Sequence, residues 1–149
     1  MTLKELTERA ERLNAMLSGG SLMQTAISDL GSVITSLNKH NQLYDKGINS
    51  DGVSIWSYRP YSQYTIREKQ RKGQPHNRVT LKDTGDFYGS FNVMADKSQF
   101  EVFATDPKTA DLRAKYGNIF GLTQENKQIL IEDYLRDKIA TLVKSIIYG

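Results

Sequence analysis

The sequence contains no cysteine, only three prolines and a single tryptophan among its 149 residues. The absence of cysteine excludes disulfide frameworks, thiolate metal sites and cysteine nucleophiles. No apolar run approaches the roughly 18 residues that a membrane span needs, and the first residues lack the pattern of a signal peptide. We therefore expect a protein that folds without covalent cross-links and does not enter a membrane.

What is present is the composition of an ordinary folded domain. Apolar residues make up 38% of the chain and charged residues 25%. A chain of this size can bury about two-thirds of its unfolded surface, and its length fits one domain rather than two. We predict a single domain over residues 1–149 with a modest core.

The net charge of +3 is concentrated in one segment. Residues 1–60 carry six basic and six acidic side chains, and residues 83–149 carry eight basic and ten acidic ones. Residues 61–82 hold six basic side chains against the single acid Glu68, a net charge of +5. Glycine, proline and asparagine within this segment favour turns. The pattern therefore predicts an exposed, mobile basic loop.

Two helices are predicted within the first 38 residues. Thr2 and Glu5 have the spacing of a capping box, and apolar residues follow at steps of three and four until Gly19-Gly20. Ser21 and Gln24 have the same spacing and open a second apolar pattern that runs to about residue 38. Because the joint between the two helices is short, they are expected to fold back on each other as a helical hairpin.

Beyond residue 38 the pattern changes to turns and short strands. Asparagine, aspartate and glycine favour turns up to residue 52, and Val53–Tyr58 then predicts a short strand. Apolar and polar residues alternate on both sides of Asp96-Lys97-Ser98, which predicts a β-hairpin over 91–104. A short helix is predicted around Lys108–Lys115.

The clearest helix lies near the C-terminal end. Thr123 is its predicted N-cap, and apolar residues follow at steps of three and four. A helix over 124–147 would be about 36 Å long, at least the width of a compact domain of this size. Part of its apolar face is therefore a candidate subunit interface, formed by Leu135, Ile139, Leu142 and Ile146.

Together these elements predict an α+β fold with an N-terminal helical hairpin, a small antiparallel sheet and a long C-terminal helix. The residues provide no catalytic constellation of recognised spacing. The two histidines, His40 and His76, are far apart, and no glycine-rich phosphate loop or serine elbow is present. We expect no enzymatic activity, no metal ion and no cofactor.

One tripeptide, Asp83-Thr84-Gly85, is shared with aspartic proteases. Their mechanism needs two aspartates that share a proton in a dry site. Here Lys82 precedes Asp83 and Asp86 follows it closely, so the surroundings are polar. A protease-like activity of Asp83 is kept as a remote alternative.

The basic segment supports two functional hypotheses. Its cations, close to several tyrosines, would either hold nucleic-acid phosphates while aromatic rings contact bases, or bind an acidic protein surface. The alternative without a ligand is a solvated loop that keeps the protein in solution. The candidate contact residues are Arg67, Lys69, Arg71, Lys72 and Arg78.

The order of motifs in the second half of the chain suggests a family. Val79–Phe91 contains an apolar residue, Thr84-Gly85, a second apolar residue, and Ser90 with an apolar residue on the next turn. The predicted hairpin, Tyr116-Gly117 and the step Gly121-Leu122 into the last helix follow in that order. This order resembles the pattern of tail-completion and virion-morphogenesis proteins of tailed bacteriophages.

The resemblance covers residues 79–147, about half of the chain. It implies a small α+β structural protein that forms a ring at the head–tail junction of a virion and is assembled in the bacterial cytoplasm. The implied partners are copies of itself, neighbouring portal, adaptor or tail proteins, and packaged DNA. Gly117-Asn118-Ile119 stands where the family usually has Arg-Pro-Phe, so a tail-completion protein and another head–tail connector remain alternatives. A non-enzymatic virion protein is the leading hypothesis.

Overall fold

The N-terminal third of the chain is helical. In the computed structural model, which describes residues 1–149, helix α1 (Leu3–Gly19) begins at the capping box of Thr2 and ends at Gly20, whose φ is +76°. Helix α2 (Ser21–Asp29) and helix α3 (Gly31–Ser36) follow. The two predicted helices are therefore present, although the second one is interrupted at residue 30.

The second predicted capping box does not form. Gly20, in the left-handed conformation, is itself the N-cap of α2, so Ser21 is already inside the helix. The Gln24 side chain bonds elsewhere, because its Nε2 donates to the carbonyl of Ala95 at 3.1 Å. A tertiary hydrogen bond to the later hairpin has replaced the local one.

A π-helix over Leu37–Lys46 continues the chain where the sequence predicts turns. Asparagine and aspartate favour turns because their side chains bond to nearby backbone groups. Here Asn38 and Gln42 are fully buried and bond instead to the backbone of residues 119–123. Their local preference is overridden by these distant partners.

The segment that follows does not form the predicted strand at Val53–Tyr58. The side-chain oxygen of Asn49 accepts hydrogen bonds from the amides of Asp51 and Val53, which turns the chain. A 3₁₀ turn at Ile55–Ser57 then inserts Ile55 into the core. The segment pairs only through a single antiparallel bridge between Ser54 and Ile48, so no strand extends along it.

The next elements bring the chain to the predicted hairpin. Helix α4 (Gln63–Arg71) is followed by an irregular stretch and by the single turn α5 (Asp86–Gly89). Strands β1 (Phe91–Ala95) and β2 (Phe100–Ala104) then pair antiparallel, with the first residue of β1 opposite the last residue of β2. The hairpin is confirmed at its predicted position.

The C-terminal part also agrees with the sequence. Helix α6 (Thr109–Tyr116) matches the predicted short helix, and a continuous helical run follows the N-cap Thr123. This run consists of α7 (Gln124–Ile129), a second π-helix (Leu130–Leu135) and α8 (Arg136–Tyr148). The long C-terminal helix is confirmed. None of the helices combines the length and the apolar character that a membrane crossing requires.

One hydrophobic cluster of 14 buried residues extends from Ile27 to Leu130 and so joins both halves of the chain. At its centre the ring of Phe91 contacts Phe87, Tyr88 and Phe120, with ring centroids 5.1–5.9 Å from its own. Helix α1 contributes no buried residue and contacts α2 and α8 at the periphery. The α+β class is confirmed.

Buried carboxamides connect the first π-helix to the start of the last helix. Gln42 donates from Nε2 to the carbonyl of Gly121 at 2.9 Å. Its Oε1 accepts from the amide of Thr123 at 3.0 Å and from Nδ2 of Asn126 at 2.8 Å. Asn38, one turn earlier, accepts from the amide of Gly121 at 2.8 Å. These bonds fix the glycine-rich segment that separates α6 from α7.

Candidate functional site and interaction surfaces

The basic segment 61–82 is not the mobile loop that its composition predicts. Its first half is helix α4, capped by the Ser62 hydroxyl, which accepts from the amide of Thr65 at 3.1 Å. In its second half, Val79 and Thr80 are almost completely buried. The sequence gives little sign of this order, because Ile66 is the only aliphatic residue in α4. Contacts with the rest of the protein fix the segment.

Lys69 is a structural residue rather than an exposed contact residue. Only 9% of its surface is accessible. Its Nζ donates to the carbonyl of Lys82 at 3.1 Å and to Oε1 of Gln74 at 3.5 Å, and it lies 5.2 Å from the centre of the Tyr61 ring. The ammonium group thus connects α4 by hydrogen bonds to residues 74 and 82 of the segment that follows it.

Two further candidate cations already have acidic partners. Arg71 pairs with Glu68 at 2.8 Å, and Lys72 pairs with Asp83 at 3.0 Å. Exposed pairs of this kind contribute little to stability and can exchange partners. They nevertheless reduce the positive charge that the segment presents to a ligand.

The remaining two candidates differ from each other. Arg78 donates to the carbonyl of Tyr44 at 2.6 Å and to the side chain of Asn77 at 2.8 Å. Arg67 is exposed and has no hydrogen bond or ion pair. The structure therefore places the five predicted contact residues in one region but leaves only Arg67 without a partner inside the chain.

Replacing Lys69 with methionine should lower the free energy of unfolding by about 1.5–3 kcal/mol. The change keeps the apolar stem but removes charge-assisted hydrogen bonds, and it leaves the buried carbonyl of Lys82 unsatisfied. Arg67→Met on the same helix is the matched control, and it should change stability by less than about 0.5 kcal/mol. Urea denaturation measures both values. Equal stability of the two variants would show that Lys69 has no structural role.

Asp83 does not lie in the surroundings that protease chemistry needs. Its carboxylate is half-exposed and accepts from Nζ of Lys72 at 3.0 Å and from Nε2 of Gln74 at 3.4 Å. The hydrogen bond from Lys72 is the main cause that lowers the pKa of Asp83. An ionised, cation-paired carboxylate contrasts with two aspartates that share a proton.

No group of three or more histidine, aspartate or glutamate side chains is arranged to hold a metal ion. His40 and His76 lie on separate elements, and both side chains are exposed. The histidine and acidic side chains of the chain therefore form no cluster of metal-ligand type.

The apolar stripe of the last helix is partly covered by the chain itself. Its four predicted interface residues are half-buried, and α8 contacts both α1 and α2. These four residues are Leu135, Ile139, Leu142 and Ile146. Each of these side chains is thus partly covered by neighbouring helices and partly exposed at the surface.

The largest exposed apolar side chains near this stripe belong to α1. Leu3 is 80% exposed and Leu17 is 57% exposed, and no residue of the helix is buried. An apolar groove of about 290 Å³ lies between α1 and α8, lined by Leu6, Leu13 and Ile147 among others. The leucine spacing in α1 is evident in the sequence, but the sequence does not show that this face remains largely uncovered.

Helix α1 is held in place by few polar bonds. The guanidinium of Arg9 donates to the carbonyl of Ile147 at 2.9 Å and ties the middle of α1 to the end of α8. At the other end Gly20 lies against the hairpin turn at Lys97. The α1 face, defined here as the leucines at 3, 6, 13 and 17 together with Ile147, is therefore tied to the rest of the chain near the middle and at the C-terminal end of α1.

No family model, curated protein or solved structure matches this chain.

Proposed function

We propose that this protein is a structural subunit of a phage or prophage particle, a head–tail connector or tail-completion protein that assembles into a ring. The observation that carries the proposal is the α1 face, which is apolar, regular and largely uncovered. The proposed partners are copies of the same chain and the neighbouring portal, adaptor or tail proteins. The proposed location is the virion, after assembly in the bacterial cytoplasm.

The energetics of α1 favour an additional contact on this face. In proteins most helical stability comes from the packing of an apolar face. Each square ångström of apolar surface removed from water contributes about 25 cal/mol. Because α1 buries none of its residues within the chain, covering its leucines would stabilise both the helix and the assembly.

The assignment to a phage particle is supported by the resemblance of residues 79–147. The hairpin and the long last helix, both of which the resemblance implies, are present in the expected order. A tail-completion protein and another connector share these features, and the proposal includes both. No catalytic role is part of it.

Self-association through the α1 face should be lost when its leucines become polar. We expect the native protein to form oligomers as its concentration rises. The double variant Leu6→Gln/Leu17→Gln should raise the dissociation constant of the oligomer by about tenfold or more and so favour monomers. Both side chains are exposed, so the fold should be retained. Tyr64→Gln replaces an exposed aromatic side chain on α4 with a polar one. It is the matched control and should leave association unchanged. Sedimentation velocity measures the distribution.

Connector subunits can also remain monomeric until they meet a particle. The decisive measurement is therefore fractionation of particles from cells that express the native chain and from cells that express the double variant. The native protein should sediment with particles at a fixed copy number, and the variant should remain in the supernatant. A protein that is strictly monomeric and absent from particles would contradict the proposal.

Nucleic-acid binding through residues 67–78 is the alternative function, favoured by the net charge of +5 over residues 61–82. Five phosphate contacts would give a slope near −4.5 in a plot of the logarithm of the DNA-binding constant against the logarithm of the salt concentration, since each contact contributes about −0.9. Because Arg67 is the one candidate contact residue of the five that lacks a partner within the chain, we expect a slope of about −1 instead. A slope near −4.5 in a DNA titration would favour the alternative.

A further inference from the structure

A cavity of about 200 Å³ lies between residues 81–87 and helix α6. It is separate from the α1 face and from the exposed side of α4. Four lysines line it against a single carboxylate, that of Asp83, which is held by Lys72 and Gln74. The lysines are Lys69, Lys82, Lys108 and Lys115.

The hydroxyl of Tyr116 is a hydrogen-bond donor without a partner in this cavity. Tyr116 is only 7% exposed and lines the cavity, yet no group of the chain bonds to its hydroxyl. The one completely buried polar side-chain atom without a hydrogen-bond partner is Oδ1 of Asn126, so the Tyr116 hydroxyl is accessible to solvent. Burial of the ring raises the pKa of Tyr116, so the hydroxyl keeps its proton. It is therefore able to donate to an acceptor that enters the cavity.

A second hydroxyl donor comes from the opposite wall. The oxygen of Tyr61 accepts from the amide of Thr80 at 3.0 Å, and its own hydrogen has no acceptor within the chain. Since Tyr61 also lines the cavity, this hydrogen is free to donate to a group that enters it. Two phenol donors therefore line the same small space.

The ammonium groups add positive charge with few internal partners. Lys108 has no ion pair, and Lys82 lies over the rings of Tyr44 and Tyr88 at 5.2 and 5.9 Å without an acidic partner. Lys115 pairs with the half-exposed Asp111 at 2.9 Å. An anion in the cavity would be attracted by these cations and would accept from the phenols.

The wall of the cavity includes an unusual backbone conformation. Leu81 has a φ of +58°, and it is the one residue other than glycine with a positive φ. This conformation costs about 1–2 kcal/mol for a residue with a side chain. It is held by the bonds of Lys69 to the carbonyl of Lys82 and of Thr80 to Tyr61. Such strain is concentrated at functional sites, and here it shapes the cavity wall.

We propose that this cavity binds one small oxyanion group, a carboxylate or a phosphate, through the phenols of Tyr61 and Tyr116 and the surrounding lysines. Pockets for drug-sized ligands have volumes of about 300–1,000 Å³, so a volume near 200 Å³ restricts the occupant to a group of side-chain size. The group is supplied either by a free small anion or by an acidic side chain of a partner protein.

Trp56 provides a reporter for occupancy. It is the single tryptophan of the chain, and its ring lies 5.5 Å from the ring of Tyr61 in an edge-to-face contact. We expect inorganic phosphate, glutarate and a short glutamate peptide to change its fluorescence saturably, each measured against chloride at equal ionic strength. The peptide arm distinguishes the two sources, since tighter binding of the peptide indicates a partner's side chain and tighter binding of phosphate indicates a free anion.

Two variants test the cavity itself. Tyr116→Phe removes only the unpartnered hydroxyl, and Lys108→Gln removes an unpaired charge at the rim. Each should weaken binding of the tightest probe by about tenfold or more, because hydrogen bonds to charged groups are the strong ones. Tyr64→Phe and Lys97→Gln are the matched controls and should bind as the native protein does.

The proposal is overturned if no probe exceeds chloride, or if both variants bind as tightly as the controls. Thermal melting of each variant shows that a loss of binding is not a loss of fold. Neither variant touches the α1 face, so failure here leaves the proposed assembly function unaffected.

Discussion

Replacing Gln42 with leucine should lower the free energy of unfolding by about 3–5 kcal/mol. The substitution leaves the carbonyl of Gly121, the amide of Thr123 and part of the Asn126 carboxamide without their partners. Each buried polar group that loses its partner costs about 1–3 kcal/mol. The loss is therefore larger than that of an ordinary surface hydrogen bond, and urea denaturation measures it.

Gln128→Leu is the matched control for this prediction. Gln128 is exposed and bonds only to Glu132 on the same helical run, so the change should be within about 0.5 kcal/mol. Hydrogen exchange adds a local readout, because the Thr123 amide should exchange faster in Gln42→Leu than in the control. A change below about 1 kcal/mol with unaltered exchange would show that the carboxamide network is dispensable.

Replacing Gly20 with alanine should destabilise the protein by about 2–4 kcal/mol. The φ of +76° is strained for any residue with a side chain, at about 1–2 kcal/mol. In addition, a Cβ at this position would lie 2.7 Å from the carbonyl oxygen of Lys97 and 2.9 Å from its Cβ. The joint between α1 and α2 would have to move away from the hairpin turn.

Gly52→Ala is the control that separates backbone strain from contact with Lys97 as causes of the destabilisation by Gly20→Ala. Gly52 has a similar φ of +79°, but nothing lies within 4 Å of a Cβ built there. The control should therefore show only the backbone strain, about 1–2 kcal/mol. Thermal and urea unfolding of both variants measure the difference. Equal destabilisation would mean that the contact with Lys97 adjusts without cost.

The elements that the sequence predicts correctly are those with strong local signals. The α1 capping box, the hairpin around Asp96-Lys97-Ser98 and the helix after Thr123 each depend on neighbouring residues. In the hairpin the apolar positions Phe91 and Val102 are also buried, whereas α1 buries none of its residues. In contrast, the residue types of Val53–Tyr58 predict a strand, but so short a segment is equally compatible with a turn that inserts Ile55 into the core.

The candidate contact residues show a second limit of prediction from the sequence. Composition correctly locates the positive charge between residues 61 and 82, but it does not reveal which cations have partners. Lys69 is buried because the carbonyl of Lys82 and the ring of Tyr61 meet around it. That arrangement depends on how the chain returns along α4, and no spacing in the sequence encodes it.

The α+β class, the hairpin, the last helix and the location of the excess charge all follow from the amino-acid sequence. These properties depend on periodicity and composition within short windows of residues. The three-dimensional packing was needed to show that Asn38 and Gln42 belong to a π-helix, that Lys69 is structural, and that the α1 face is uncovered. Each of these properties depends on partners distant in the chain, whose approach is set by packing rather than by neighbouring residues.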